Sequence, residues 1–213
     1  MCLIACAYRC HPDYPLILAG NRDEFHGRPT ADAAPWPDAP QVVGGRDLEA
    51  GGSWLALSGR GRLAAVTNVR RMARGALVAD FVRGEARAAD AAVALLDRAP
   101  AYAGFNLLLW DGDTLEYVSN RPTPRHTTLP PGVYGLSNDA LDTPWPKLLR
   151  LRAAMQAVAD GKRHIDTLFT ALADPRPAAD AEMPNTGVGA PMERLLSSPF
   201  IRDARYGTRA STV

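Results

Sequence analysis

Short apolar runs joined by tight-turn signals recur along this chain, and they restrict its fold more than any other feature. Residues 3–8 and 15–19 flank His11-Pro12-Asp13-Tyr14, residues 53–58 and 62–67 flank Gly59-Arg60-Gly61, and residues 105–110 and 114–119 flank Asp111-Gly112-Asp113. Runs of this length bounded by Gly, Pro and Asp read as strands, and loops this short join them as hairpins. Parallel pairing needs a crossover of a dozen or more residues, so these strands are predicted to be antiparallel. A weaker pair, residues 125–129 and 133–137, flanks Pro130-Pro131-Gly132, and residues 201–213 are expected to return to a sheet. The second strand of the first hairpin is expected to end at Gly20, setting Asn21-Arg22-Asp23-Glu24 on a loop at the sheet's end. Thr67-Asn68 and Ser137-Asn138 are further polar tips on apolar strands.

Helices are predicted over residues 77–83, 86–98 and 145–159, the second stopped by Pro100. The third has Asp142 or Thr143 as its cap and Pro144 or Pro146 in its first turn. Residues 164–173 form another, and 192–196 a short turn of helix. Residues 31–40 carry three prolines and are expected to be irregular. The glycine pairs Gly44-Gly45 and Gly51-Gly52 suggest a loop of unusual backbone shape, and residues 174–191 a surface excursion. The class is therefore α+β, antiparallel sheet covered by helices rather than a doubly wound α/β fold. The pattern leaves open whether there is one sheet or two. Its 213 residues suit a single domain spanning 1–213.

Charge and cysteine usage narrow the function. With 24 basic and 23 acidic residues, net charge +1, there is no electrostatic case for nucleic acid. The one basic concentration, Arg70-Arg71 with Arg74, reads as a solvated turn. No apolar run approaches the roughly 18 residues that span a bilayer. No basic region precedes residues 2–8, so a secretory leader is not expected. Cysteines at 2, 6 and 10 make a poor disulfide framework, which places the chain in a reducing compartment, the cytoplasm. Their spacing matches no zinc motif and no histidine pair completes it, so no metal and no organic cofactor is expected. Cys6 and Cys10 read as buried small hydrophobes.

Cys2 is different. If Met1 is removed, its α-amine, titrating at about 7.7–8.0, lies beside its own thiol of about 8.5 and can serve as the base that activates it. Attack on an amide or ester carbonyl then needs donors for the oxyanion and a group to orient the amine. Asn68 and Asn138 could donate, Asp23 could accept from the protonated amine, and Arg22 and Arg209 could hold a carboxylate or a thiolate. Singly, each has a plainer account: asparagines cap turns, Asp23 can pair with Arg22, and arginines are usually solvated.

A set of motifs runs the length of the chain: the opening Met1-Cys2-Leu3, residues 14–25 from Tyr14-Pro15-Leu16 through Asn21-Arg22-Asp23-Glu24-Phe25, and Arg28-Pro29-Thr30. It continues through Gly44-Gly45-Arg46-Asp47-Leu48, Gly51-Gly52-Ser53-Trp54-Leu55, Thr67-Asn68-Val69-Arg70 and Gly104-Phe105-Asn106-Leu107. Leu136-Ser137-Asn138, residues 141–147 ending in Trp145-Pro146-Lys147, Asn185-Thr186-Gly187 and Tyr206-Gly207-Thr208-Arg209 complete it. Together these motifs resemble the NRDE family, of the transport and Golgi organisation protein two type. Ser53 and Ala210 depart mildly, standing where threonine and serine are the family's pattern.

That resemblance implies an N-terminal-nucleophile hydrolase-like fold, an αββα sandwich of two antiparallel sheets flanked by helices. More distantly, the residue order is similar to the choloylglycine hydrolase and penicillin acylase group. By position this implies Cys2 as nucleophile and base, Asp23 as amine partner, Arg22 as a neighbour, Asn68 and Asn138 as oxyanion donors, and Arg209 as the closing electrostatic group. The implied activity is that of an N-terminal cysteine amidohydrolase or acyltransferase on a small acyl amide or thioester. The alternative, from the family's association with haem and lipid homeostasis, is a carrier that holds haem or an acyl lipid in the same pocket without chemistry. His11, His26, His126 and His164 lie in no recognisable haem motif.

Overall fold

Two antiparallel sheets hold all eleven strands of the computed structural model, which describes residues 2–68 and 75–213. The side chains of Cys2 and Asn68, the Arg70-Arg71 and Arg74 cluster, and Met1 lie outside the described residues. The chain divides into two compact units, residues 28–130 and residues 1–27 with 131–213.

The continuous unit is a seven-stranded meander in sequence order. Its strands are β3 (Thr30–Trp36), β4 (Ala39–Asp47), β5 (Leu55–Ser58), β6 (Arg62–Asn68), β7 (Phe105–Trp110), β8 (Leu115–Ser119) and β9 (Arg125–Thr128). Helices α1 (Gly75–Arg83) and α2 (Ala88–Leu96) cover one face. Side chains alternate across a strand, so Val42, Ala56, Ala64, Val66, Leu107, Leu109 and Val118 point together at Val78, Phe81 and Val82 of α1 and Ala92 and Leu95 of α2. The hairpins predicted around Gly61 and Gly112 are present, and both glycines have positive φ, 71° and 95°. Asp111, in the second of these turns, also accepts from the Ala88 amide and so anchors the start of α2.

Residues 31–40 are not irregular. They form most of β3 and the start of β4, and Pro35 is tolerated because β3 is the sheet's edge and its pairing is interrupted by register shifts on either side. Gly44-Gly45 likewise lie inside β4, where a Cβ on Gly44 would meet the Leu55 carbonyl oxygen at 2.6 Å. The glycine serves close approach of strands rather than a loop.

The second unit holds a four-stranded sheet in the order β10-β1-β2-β11. Its members are β1 (Cys2–Tyr8), β2 (Leu16–Phe25), β10 (Gly132–Leu136) and β11 (Tyr206–Thr212). Leu3, Ala5, Ala7, Ile17 and Ala19 face Leu148, Leu151, Met155 and Val158 of α3 (Pro146–Ala159) and Leu168 and Leu172 of α4 (Thr167–Leu172). Gly135 lets α3 lie close on β10, since a Cβ there would meet Arg152 at 2.7 Å and Leu148 at 2.8 Å. A short helix, α5 (Ala190–Leu196), precedes β11.

Three more sequence expectations change. β9 and β10 do not form a hairpin: β9 pairs with β8 and β10 with β1, and Pro130-Pro131 marks the passage between units. Neither Asp142 nor Thr143 caps α3. Its cap position is Trp145, without a side-chain bond, while Asp142 accepts from the Gly135 amide at 2.7 Å. Finally, β2 does not end at Gly20 but runs to Phe25, because β11 pairs along its second half from Tyr206↔Phe25 to Thr212↔Gly20.

Candidate active site

The extension of β2 decides how the polar block is presented. β1 pairs with β2 from Tyr8↔Leu16 to Cys2↔Arg22, so Arg22 stands level with Cys2 in the register. On the other side β10 leaves its pairing with β1 at Ile4↔Leu136, heading toward the same end of β1, and Asn138 follows two residues later. Asp23 lies one residue past the Cys2 pair, beyond the start of β1. Asn21, Arg22 and Asp23 are buried strand residues, 2%, 5% and 2% exposed, not members of a solvated loop.

Alternation then separates them. Asn21 points toward α4 and the segment before β11, donating through Nδ2 to the carbonyls of Leu172 and Pro199, both at 2.8 Å, and accepting from Ser211 Oγ at 2.7 Å. Asp23 shares that face, while Arg22 turns to the opposite one beside Glu24, with Nη2 3.9 Å from Oε2. Asn21 is thus a tie between elements, and Arg22 and Asp23 act on different sides of the sheet.

Asp23 is held from β11. Its Oδ1 accepts from Thr208 Oγ1 at 2.6 Å, and its backbone carbonyl accepts from the Tyr206 hydroxyl at 3.1 Å. Burial raises its carboxyl above the ordinary value, against the lowering effects of Lys147, the amino-terminal charge, the Thr208 hydrogen bond and Arg22. Lys147, in the first turn of α3, is 2% exposed and donates to the Leu196 carbonyl at 2.8 Å. It lines a cleft with Trp145, Thr186 and Glu193. Glu193 there accepts from the Thr186 amide at 2.5 Å and from its hydroxyl at 2.8 Å.

The remaining candidates are spread out. Asn138 is half-buried and accepts from the Ser137 hydroxyl at 3.3 Å. Arg209 is exposed on β11 at a register shift between Thr208 and Ala210, and its Nη1 donates to the carbonyls of Phe25 and His26 at 3.0 and 3.1 Å. Asn68 is the last residue of β6, paired with Phe105 in the other unit. Thr208, Tyr206 and Lys147 were not singled out in the sequence, although each falls in a motif quoted above. A threonine one residue before the candidate Arg209 carries no chemical signal until pairing sets it opposite Asp23.

Cys6 is 1% exposed, and burial above all pushes its thiol up to about 12, which leaves it inert. Cys10 is half-buried and donates to the Tyr8 carbonyl. His26 meets the Asp203 carbonyl at 3.0 Å, His126 meets Glu116 at 2.5 Å, and His164 meets Asp166 at 3.0 Å. Among the described residues no group of three or more His, Cys, Asp or Glu could hold a metal ion, and no helix is long and apolar enough to cross a membrane.

Comparison with known proteins adds a family and a fold. A family model described as Transport and Golgi organisation 2 matches residues 1–213. Similar relatives include the mouse and human Transport and Golgi organization 2 homologs, each 34% identical across 100% of this chain and 87% of the relative. The Drosophila melanogaster Transport and Golgi organization protein 2 is 29% identical over the same shares. Among solved structures, the Caenorhabditis elegans ortholog of N-acylethanolamine-hydrolyzing acid amidase superposes with a TM-score of 0.55 at 10% identity, covering 80% of this chain and 85% of that one. At that identity the likeness is one of fold, and it agrees with the N-terminal-nucleophile hydrolase-like class expected from the motifs.

Proposed function

The chain belongs to the Transport and Golgi organisation 2 family, and from that premise we propose that it is an N-terminal cysteine amidohydrolase or acyltransferase acting on a small acyl amide or thioester. The observation that carries this reading is the register around Cys2, with Arg22 level with it, Asn138 arriving from the other flank and a buried Asp23 just past its amino end. The structural neighbour, named for hydrolysing N-acylethanolamines, supports an amide as the bond attacked. In this reading removal of Met1 frees the Cys2 amine. The amine takes the thiol proton as sulfur attacks the carbonyl carbon, Asn138 donates to the oxyanion, and the same proton passes to the departing nitrogen. Water, or an acceptor nucleophile, then cleaves the thioester. Asp23 accepts from the protonated amine, with Arg22 and Arg209 as supporting cations.

Residues 1–213 are taken as one domain, as the single family model across them favours. The free thiols of Cys6 and Cys10 fit work in a reducing compartment such as the cytoplasm. The test is mass spectrometry of the mature protein with an electrophilic acyl-amide analogue. A chain beginning at Cys2 and labelled once, with no label on Cys2→Ala, is expected. Full retention of Met1 with unchanged ligand binding in Cys2→Ala would instead favour a carrier for haem or an acyl lipid.

A further inference from the structure

Asp23 is buried within the sheet, and one of its neighbours donates a hydrogen bond to its carboxylate. Thr208 on β11 is its register partner. The Thr208 hydroxyl oxygen accepts from the Ile201 amide at 2.9 Å, and the Thr208 amide donates to the Ile201 carbonyl at 3.0 Å. Ile201 therefore clamps Thr208 at both its backbone and its side chain. A threonine hydroxyl has one proton and two acceptor sites. Ile201 fills one acceptor site, and the hydroxyl donates its proton to Asp23 Oδ1, 2.6 Å away. A donor directed at a carboxylate favours the ionised form. Tyr206, at the start of the same strand, holds the Asp23 backbone, so both ends of the residue are positioned by β11.

We propose that Thr208 is a positioning residue that orients the Asp23 carboxylate and holds it ionised, through a hydroxyl locked by Ile201. The other charges that act on Asp23 are Lys147 from α3, the amino-terminal charge and, from the opposite face of its own strand, Arg22, all in the same sense against the burial that raises its carboxyl. Lys147 is itself tied to Leu196. Thr208 makes a directional contact to one named oxygen, Asp23 Oδ1. The consequence for chemistry rests on the reading of Asp23 as partner of the Cys2 amine.

The experiment reads Asp23 and Cys2 separately. In protein labelled with 13C at aspartate carboxyls, the Asp23 resonance is assigned by its loss in Asp23→Asn and titrated in wild type, Thr208→Val, Thr208→Ser and Ser211→Ala. Thr208→Val is expected to move the Asp23 titration to higher pH. Labelling of Cys2 should fall about tenfold at the acid end of the profile, the scale of one lost hydrogen bond to a charged group. Thr208→Ser restores both, and Ser211→Ala, which removes the neighbouring hydroxyl bound to Asn21, moves neither. An unmoved Asp23 titration in folded Thr208→Val, or no rescue by serine, overturns the proposal. If Thr208→Val does not fold, the unaltered protein decides: the Thr208 hydroxyl proton must be slowly exchanging and must shift with the Asp23 titration, and its absence overturns the proposal equally. A titration that moves as expected in a protein whose Cys2 is never labelled leaves Thr208 as stated and removes the enzymatic reading instead.

Discussion

Asn21, Arg22 and Asp23 are adjacent in sequence and chemically alike as a polar block, yet the strand gives them three different tasks. Asn21 joins β2 to Leu172, Pro199 and Ser211. Asn21→Ala would leave two buried carbonyls without their donor, and a loss of about 2–4 kcal/mol is expected in chemical denaturation. Asn138→Ala, if that side chain donates to an oxyanion, is expected to lower the Cys2 acylation rate by about a hundredfold with little change in melting temperature. Asp23 carries a pH signature. Its folded-state carboxyl is raised by burial, so the folded protein binds this proton more tightly than the unfolded chain. The contribution therefore favours folding at low pH and is lost as pH rises through the interval from the unfolded value to the folded one. Melting temperature of Asp23→Asn relative to wild type is expected to increase with pH across that interval, while labelling of Cys2 falls. A difference that is flat with pH would show that Asp23 is not perturbed.

Elements are held by contacts at a few points. Gly52 and Gly75 meet where α1 begins, and a Cβ on Gly52 would stand 2.2 Å from the Gly75 carbonyl carbon and 2.5 Å from its Cα. Backbone cannot give way as a flexible side chain can, so Gly52→Ala is expected to displace α1 and cost about 1–3 kcal/mol, read by thermal melting. Asp174 follows α4 and fixes the connection toward β11. Arg176 bonds both its oxygens at 2.8 Å, Arg150 of α3 adds a third contact at 3.1 Å, and its backbone carbonyl accepts from Phe200. The Arg176 hydrogen bonds above all hold its carboxyl down, at about 2. The sign is opposite to that of Asp23. This stability is present above the usual carboxylate value and is lost as pH falls toward 2. Because Arg176 is 77% exposed, the contribution is discounted to about 1 kcal/mol. Asp174→Asn is expected to lose that amount at pH 7 and to match wild type in strong acid.

For the molecule as a whole, strand order matters more than any one contact. β10 pairs with β1 and β11 with β2, so residues 131–213 hold two outer strands and no inner ones. Expressed alone, residues 131–213 are expected to show no dispersed amide spectrum, and a folded fragment would refute the observed strand order as the source of stability. Much of this architecture is legible in the sequence, because it is set by local rules. Turn glycines at 61 and 112 require positive φ, alternating apolar residues require a covered face, and loops of a few residues require antiparallel neighbours. The α+β class and most strands and helices follow from such signals, and the family from the resemblance of the motifs. The failures have a common physical cause. The extension of β2 beyond Gly20 depends on β11, almost two hundred residues away in sequence, and Pro35 in β3 is allowed because β3 is the edge of its sheet and its pairing shifts register beside the proline. Long-range pairing is invisible to local propensity, and it alone set Asn21 and Asp23 on one face, Arg22 on the other, and a threonine with no evident chemistry of its own against the buried carboxylate.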